Sequence, residues 1–241
     1  MNEWLKSFFE LFYPNLCLIC GESLVTGEIQ LCLKCQSQIP KTNYHLLPEN
    51  PVEKRFWGKV PVANASSYFF FQKGSDFQKL IHELKYRGNR EIGTIIGKYA
   101  AVDLLENPEY HDVDWIVPVP LHPKKLAKRG YNQSEMICTG ISVILEKPVN
   151  TSNLVRVQEN ATQTKKSVYE RYENTQGIFH LTNPEEFRDK HILLVDDVLT
   201  TGSTLEACIQ TLLLAENCKV SVFTLAAAFL NRKKKKRTRE I

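Results

Sequence analysis

Apolar runs alternate with helical patterns along residues 62–228. Apolar, β-branched and aromatic residues predict strands at 62–71, 115–120, 192–195 and 219–225. Between these runs, apolar residues recur at helical spacing over 76–86, 92–105, 132–145 and 204–215. Because strands that alternate with helices form a mostly parallel sheet covered on both faces, the pattern predicts an α/β domain.

The pattern and the composition divide the 241-residue chain into four parts. Residues 1–40 contain an apolar stretch at 3–13 with helical spacing, followed by four cysteines. Residues 41–61 have three prolines and no periodicity, which predicts a linker. The α/β domain occupies 62–230, and 231–241 form a basic tail. The helix over 3–13 is expected to pack on its own protein, because a membrane-surface helix needs more cations than Lys6 alone.

Polar residues follow the apolar run 192–195. Asp196 and Asp197 come first, at the edge of the sheet where open α/β folds place their ligands. A loop of small residues comes next, formed by Thr200, Thr201, Gly202, Ser203 and Thr204. Ser203 and Glu206 have the spacing of a capping box, which predicts a helix start there. A strand-to-helix turn accounts for the cap, but not for the paired acids.

The loop and the acid pair suit different parts of one ligand. Backbone N–H groups at a helix start bind anions such as phosphate. Carboxylates repel phosphate, but they accept hydrogen bonds from sugar hydroxyls or from water on a magnesium ion. The pattern therefore predicts a site for a sugar phosphate, with the loop on the 5′-phosphate and the acids on the sugar.

The stretch 192–207 resembles the phosphoribosyl-pyrophosphate (PRPP) motif of type I phosphoribosyltransferases. The resemblance implies their fold, a parallel sheet flanked by helices with a small hood over the site, and PRPP with Mg²⁺ as the ligand. Purine-salvage members carry a further Asp three positions after the second acid, where this chain has Thr200. Purine salvage is therefore not expected.

A second loop, at 118–134, follows the predicted strand 115–120. It carries Lys124, Lys125, Lys128 and Arg129, whose charges suit a diphosphate, although a solvated basic helix face gives the same lysine pattern. In type I phosphoribosyltransferases the loop after the first core strand holds pyrophosphate. The resemblance therefore implies that Leu121, His122, Lys125 and Arg129 are candidate contacts of PRPP.

The order of the motifs resembles the ComF family of late-competence proteins, which includes the GntX-like members. The family pattern maps onto Lys85, Tyr86 and Gly88; Pro118, Pro120 and Leu121; 129–133; Gln163, Arg171, Gly177 and Phe179; and 196–204. The resemblance adds Lys85 to the PRPP site and implies an N-terminal metal module and a role in DNA uptake. It also implies single-stranded DNA and a helicase-like protein as partners.

The polar stretch 156–171 resembles the flexible loop that closes over PRPP in related enzymes. Gln163 and Arg171 are its candidate contacts. A surface helix is the alternative interpretation of this stretch. Closure would exclude water from an oxocarbenium-like transition state.

Two C-x-x-C pairs, Cys17 with Cys20 and Cys32 with Cys35, present four thiolates to a tetrahedral Zn²⁺. Four protein ligands make such a metal structural. A redox dithiol or an iron–sulfur cluster is the alternative, but no thioredoxin-like pattern surrounds either pair. The remaining cysteines, at 138, 208 and 218, lie in apolar contexts and are predicted to be core residues.

The formal net charge of +4 comes from the tail. Residues 232–239 hold seven of the 31 cations, and without them and Glu240 the chain has 24 cations and 26 anions. The tail either binds nucleic acid by charge alone or serves as a solubilising segment. No uncharged run approaches the roughly 18 residues of a membrane span, so we expect a cytoplasmic protein.

Two functions follow. As an enzyme, the protein would transfer ribosyl 5-phosphate from PRPP to an unassigned acceptor and release pyrophosphate, with Asp196 and Asp197 acting on the ribose. As a binding protein, it would be a non-catalytic competence accessory that binds single-stranded DNA and uses the PRPP pocket as a sensor or as a site for strand phosphate.

Overall fold

The computed structural model describes residues 14–156 and 178–228. Its centre is a parallel sheet of four strands in the order β1-β6-β5-β2. These strands are β1 (Ala65–Phe70), β2 (Trp115–Pro118), β5 (His191–Leu199) and β6 (Lys219–Ala227). A separate antiparallel pair consists of β3 (Leu154–Arg156) and β4 (Phe179–Leu181). The helices are α1 (Leu33–Ser37), α2 (Gln78–Tyr86), α3 (Arg90–Leu104), α4 (Pro123–Arg129), α5 (Gln133–Leu145) and α6 (Ser203–Leu212).

The sheet is buried on both faces, as the apolar run in β5 predicts. Ile192 and Leu194 belong to one core, with α6, β3 and β4. Leu193 and Val195 point to the other face, into a core shared with α2, α3 and α5. Because successive side chains of a strand alternate between faces, only a strand covered on both sides keeps four consecutive apolar residues buried.

Helices α3 and α5 approach each other closely enough to require glycine at the contact. A Cβ atom at Gly97 would collide with the carbonyl oxygen of Ile137, and one at Gly140 with that of Thr94. This contact holds α5 against the sheet. It thereby positions the start of α5, which lies beside β5 at the candidate site.

The segment 41–61, which we predicted to be a linker, packs against the main domain. Val52 and Phe56 are fully buried and belong to the core on the α6 side of the sheet. The Asn50 side chain donates to the carbonyl of Ala65 at 2.9 Å and accepts from the N–H of Val52 at 2.8 Å. A segment without hydrophobic periodicity can therefore still contribute to the core. The bounds of the four parts of the chain remain predictions.

Some predictions fall on residues that the structure does not describe. These are the helix over 3–13, Gln163 and Arg171 in the polar loop, and the basic tail 231–241. Within the described ranges, no helix combines the length and the apolar character that a bilayer crossing requires.

The close approach of α3 and α5 predicts a stability effect. Substituting Gly140→Ala places a methyl group against the α3 backbone. One of the two helices must then shift, because a backbone atom cannot rotate away as a side chain can. We expect a loss of about 1–3 kcal/mol in the free energy of unfolding, measured by urea denaturation. Val143→Ala, on the exposed side of the same helix, should change it by at most about 0.5 kcal/mol. Equal effects of the two substitutions would contradict the close contact.

Candidate functional site

The acid pair lies where β5 loses one of its two neighbours. β5 pairs with β2 only as far as Val195, but with β6 as far as Leu199. The strand is therefore longer than the predicted 192–195, because β6 supplies partners to its last residue. Asp196 and Asp197 lie just past the end of β2, where one edge of β5 is open to a ligand.

The Asp196 carboxylate is partly buried and accepts two hydrogen bonds on Oδ1. Ser134 donates its hydroxyl at 3.1 Å and Asp197 donates its backbone N–H at 2.8 Å. Burial, together with the neighbouring Asp197 charge, raises the pKa of Asp196 to about 7. The two hydrogen bonds and the Lys85 cation oppose this shift only in part. The folded protein therefore carries a cost for ionising Asp196.

Asp197 is paired with Lys85. The Lys85 ammonium lies 2.8 Å from Asp197 Oδ1, and the two side chains are 20% and 13% exposed. Lys85 comes from the last turn of α2, so this ion pair joins two segments more than a hundred residues apart in the chain. The structure thus brings together Lys85, Asp196 and Asp197, three of the residues that the sequence analysis assigned to the site.

The motif at 129–134 connects the two sides of the site. The Tyr131 hydroxyl donates to the carbonyl of Leu84 near the end of α2. Asn132 donates to the carbonyl of Val119 at 3.0 Å, and its Oδ1 caps α5 by accepting from the N–H of Ser134. Tyr131 and Asn132 lie within the family pattern at 129–133, but no role was predicted from the sequence for them or for Ser134. The signal that could have found Asn132 was its place before an apolar helical pattern, which is typical of an N-cap.

The loop at 200–204 turns on a glycine. Gly202 has φ 89°, a left-handed conformation, and it is the N-cap of α6. A Cβ atom there would also lie within 3.8 Å of Phe56, Leu199 and Glu206. The predicted capping box is wrong, because Ser203 is already the first residue of the helix and Glu206 pairs with Lys59 instead.

This loop presents donors to an incoming anion, since the Ser203 N–H has only a long contact of 3.5 Å with the Thr201 hydroxyl. A hollow of about 30 Å³ is lined by Asp196, Val198, Leu199 and residues 200–205. Gly202 is buried, while the hydroxyl residues on either side of it are exposed. The first N–H groups of α6 have no partner within the helix, and the helix dipole favours negative charge at that end. The arrangement can bind a phosphate group.

A cationic cavity lies on the other side of Lys85. Its volume is about 490 Å³, and it is lined by Lys85, Tyr86, Arg87, Gly88, Lys125, Lys128, Arg129 and Tyr131. Volume alone does not identify a site, because a cavity of the same size is lined by Glu53 and residues 57–63. The density of positive charge distinguishes this cavity from the other one, since five of its eight lining residues are Lys or Arg.

The predicted pyrophosphate contacts divide between this cavity and the start of α4. Lys125 and Arg129 line the cavity, and Arg129 is held by a 2.5 Å hydrogen bond to Gln133 and by stacking on Tyr86 at 5.6 Å. His122 caps α4 by accepting from the N–H of Lys124 at 3.2 Å, directly after Leu121. His122 therefore has a structural role in this structure.

Four sulfur atoms of the N-terminal module lie in a metal-binding arrangement. The Sγ atoms of Cys17, Cys20, Cys32 and Cys35 are all within 4.8 Å of one another. Cys20 and Cys32 are 3.7 Å apart, close to the roughly 3.8 Å that Zn–S bonds of about 2.3 Å give in a tetrahedron. Burial and the neighbouring thiols raise the pKa of Cys35. A cation would stabilise four thiolates in this arrangement, and the residues fit zinc.

The other three cysteines are core residues, as predicted. Cys138 and Cys208 are fully buried and Cys218 is 9% exposed. Burial raises the pKa of each thiol, which keeps them in the neutral form. They belong to the two cores on either side of the sheet.

Comparisons with known proteins agree with this geometry. The family model for the phosphoribosyl transferase domain matches residues 132–241. DNA utilization protein YhgH of Salmonella typhimurium is 32% identical over 233 residues, covering 89% of this chain and 98% of that protein. The chain belongs to the ComF family. Competence protein F of Haemophilus influenzae is 28% identical over 227 residues, covering 90% of this chain and 99% of its own length. Competence protein ComFC of Bacillus subtilis is 26% identical over 239 residues, covering 87% and 94%.

Solved structures with a likeness to this ComF-family chain include phosphoribosyltransferases. Glutamine PRPP amidotransferase from Bacillus subtilis has a TM-score of 0.44 at 15% identity, over 60% of this chain and 30% of that one. Purine phosphoribosyltransferase from Pyrococcus horikoshii has a TM-score of 0.37 at 19% identity, over 55% and 74%. The predicted type I phosphoribosyltransferase fold is confirmed by the sheet and the family model together.

Because the pKa of Asp196 is raised, replacing Asp196 with a neutral residue is predicted to stabilise the protein by an amount that depends on pH. An unfolded Asp titrates near its ordinary pKa of 3.8 and the folded one near 7, so wild-type stability falls as the pH rises through this window. The cost of the charge is complete above pH 7. Asp196→Asn should therefore raise the free energy of unfolding at pH 8 by up to about 4 kcal/mol, since a pKa difference of about three units is worth about 1.4 kcal/mol per unit, and by much less at pH 4.

Urea denaturation at both pH values measures this difference. The exposed Asp112→Asn is the control, and it should leave stability nearly unchanged at either pH. Protonation of the cysteine ligands at low pH affects wild type and variants alike, so it cancels from the comparison. A gain at pH 4 as large as that at pH 8 would contradict the assignment.

Proposed function

We propose that this ComF-family protein binds PRPP, or a nucleotide that carries a 5′-phosphate, together with magnesium, and that it acts in the handling of incoming DNA. The observation that carries the proposal is the arrangement around Asp196 and Asp197. An open anion-binding helix start lies on one side of the acid pair, and a cationic cavity lies on the other.

Each part of PRPP has a matching group. The 5′-phosphate would bind the N–H groups and hydroxyls of residues 200–204. The two aspartates would accept hydrogen bonds from the ribose 2′- and 3′-hydroxyls. Lys85, Lys125 and Arg129 would face the pyrophosphate, with Arg129 able to bind it in a bidentate manner. Magnesium bound with PRPP would offset part of the pyrophosphate charge, and the acids would hold it through its water ligands.

In the structure, the Lys85 ammonium forms an ion pair with the Asp197 carboxylate. When pyrophosphate enters the cavity, the ammonium can exchange a carboxylate partner for a phosphate partner without losing an ion pair. Asp197 is then free to accept from the sugar. Asp197 is thus not left without a partner before the ligand binds. The ligand would supply a phosphate to Lys85 and sugar hydroxyls to Asp197 in place of the ion pair that it displaces.

Transfer would follow from the same arrangement. The bond between ribose C1 and a pyrophosphate oxygen breaks, the electron pair leaves with pyrophosphate, and a nucleophile of the acceptor bonds to C1 and loses its proton. The carboxylates of Asp196 and Asp197 stabilise the positive charge that develops on the sugar ring. Thr200 stands where purine-salvage enzymes have an acid, so the proposed acceptor is not a purine base.

The loop at Gly202 predicts a selective loss of PRPP binding. Gly202→Ala forces an L residue into φ 89° and against its neighbours, which distorts the 5′-phosphate loop. We expect PRPP affinity, measured by calorimetry with magnesium, to fall at least about tenfold, or about 1.4 kcal/mol.

Gly74→Ala is the matched control for this variant. Gly74 has φ 87°, but nothing lies within 4 Å of its missing Cβ. The control carries the same backbone strain on a different loop, so its PRPP affinity should equal that of wild type. Wild-type protein that fails to bind PRPP would overturn the proposal. Equal losses in the two variants would remove the 5′-phosphate loop from it.

A second function, binding of single-stranded DNA, is favoured by the composition of the cationic cavity. Tyr86 is 67% exposed at its rim, and Arg87 and Lys128 line it beyond the residues assigned to pyrophosphate. An exposed aromatic ring among cations is the combination that stacks bases and tracks a phosphate backbone. The cavity would then hold a strand as well as, or in place of, PRPP.

Substitutions at the cavity rim test this second function. Tyr86→Ala should weaken binding of an oligothymidine by about 1–3 kcal/mol through lost stacking. Lys128→Ala should reduce the salt slope of binding by about 0.7. Trp57→Ala, an exposed aromatic elsewhere, and Lys124→Ala, a neighbour on α4 outside the cavity lining, are the controls. Loss of DNA affinity in the controls alone would place the strand elsewhere.

Release of pyrophosphate decides between catalysis and binding. If magnesium and PRPP yield pyrophosphate in the presence of a cell extract or a defined acceptor, the enzyme function holds. If PRPP binds but stays intact, the competence-accessory function holds.

Three further proposals accompany these functions. The metal of the cysteine module is zinc, because four thiolates in a tetrahedron are its preferred set. The protein acts in the cytoplasm, where reduced cysteines favour metal over disulfides. Its partner in DNA uptake is a helicase-like protein, as the family resemblance implies.

A further inference from the structure

The side-chain amide of Gln30 joins the cysteine module to the start of α3. Its oxygen accepts from the side-chain amide of Asn89 at 3.0 Å. Its nitrogen donates to Oε2 of Glu91 at 2.6 Å. Asn89 is the N-cap of α3, where its own oxygen accepts from the N–H of Ile92 at 3.2 Å. One glutamine therefore binds both the cap and the first turn of this helix.

Gln30 is held rigidly within the module. It lies between the two cysteine pairs, at φ 61°, and its carbonyl accepts from the N–H of Leu18 at 2.9 Å. Leu18 follows Cys17, and Cys32 comes two residues after Gln30. A metal on the four cysteines would link these two segments and fix the loop that presents Gln30.

A second contact holds the other end of α2. The Lys79 ammonium, in the first turn of α2, donates to the carbonyl of Ile19 at 2.6 Å. The buried side chains of Ile19 and Leu31 share a core with Leu80 and Leu84 of α2. The module is thus packed along α2 and reaches α3 through Gln30.

Lys85 lies in the last turn of α2, directly before the turn that joins α2 to α3. The joining turn spans residues 87–89 and contains Gly88 at φ 73°, with nothing within 4 Å of its missing Cβ. Arg87 and Gly88 are exposed, so these two residues of the turn contribute little packing. Gln30 fixes its far end by holding Asn89, four residues from the lysine that pairs with Asp197.

We propose that Gln30 is a positioning residue through which the metal-bound cysteine module holds the α2–α3 turn, and with it Lys85, at the sugar-phosphate site. The role of Lys85 toward a ligand rests on the proposed function. The coupling between Gln30 and the α2–α3 turn is independent of the proposed function, because it rests on hydrogen bonds within the protein.

The test uses the full-length, zinc-loaded protein and two readouts. Amide hydrogen exchange over 84–91 reports the order of the turn without any ligand, and calorimetry with PRPP and magnesium reports binding. Gln30→Ala removes both hydrogen bonds, so it should speed exchange in this segment, and weaken PRPP binding, by at least about three- to tenfold, the range for the net loss of a single hydrogen bond. Gln38→Ala, at an exposed glutamine of the same module, should match wild type in both readouts, and zinc content should be unchanged throughout.

A reciprocal exchange separates positioning from loss of packing. Gln30→Glu alone brings a second carboxylate to Glu91 and should loosen the turn at least as much as alanine does. Adding Glu91→Gln restores a donor facing an acceptor, while Asn89 keeps its bond to position 30. The double variant should return exchange and PRPP affinity to near the wild-type values.

The outcomes distinguish this inference from the proposed function. If wild type binds PRPP and Gln30→Ala matches it in both readouts, the positioning role is overturned. A double variant that stays as loose as Gln30→Glu would also overturn it. If wild type does not bind PRPP, the proposed function fails, but faster exchange in Gln30→Ala with recovery in the double variant still supports the coupling.

Discussion

Repulsion between two adjacent carboxylates is the constraint around which this site is built. Asp196 and Asp197 lie at the end of a buried strand, where low exposure raises the cost of each charge. The polar contacts nearby reduce that cost: a serine hydroxyl and a backbone N–H serve Asp196, and Lys85 serves Asp197. The pKa of Asp196 stays raised all the same. Ionised Asp196 therefore costs stability, which agrees with the proposal that the pair serves a ligand and not the fold.

The parallel sheet brings these partners together from distant parts of the chain. Lys85 comes from α2, Ser134 from α5 and the acids from β5, and all meet at the edge where β2 ends. Two sets of contacts fix the positions of these elements relative to one another. They are the close packing of α3 on α5 and the hydrogen bonds of Tyr131 and Asn132. Each contact is local and modest, but together they leave the lysine and the serine few other positions.

The elements and the acid pair could be predicted because their signals are local. Apolar periodicity predicted the four central strands and their helices, and the acid pair and its loop lie in one short stretch. The other features depend on residues far away in sequence. Phe56 is buried although its segment has no period, Glu206 pairs with Lys59 across 147 positions, and Ser134 contacts Asp196 across 62. No short window of the sequence contains both members of such pairs. The capping box at 203–206 was therefore predicted from local spacing, although Glu206 pairs with the distant Lys59.

The charge of the site also differs from what net charge suggests. Outside its tail the chain is nearly neutral, with 24 cations and 26 anions, yet five cations surround one cavity and two acids lie directly beside it. A phosphate alone would use only the cations and the open helix start, and a sugar alone would use only the acids. A ligand with phosphates at both ends and hydroxyls between them would use every part, which is the reason for proposing a phosphorylated ribose and not either component alone.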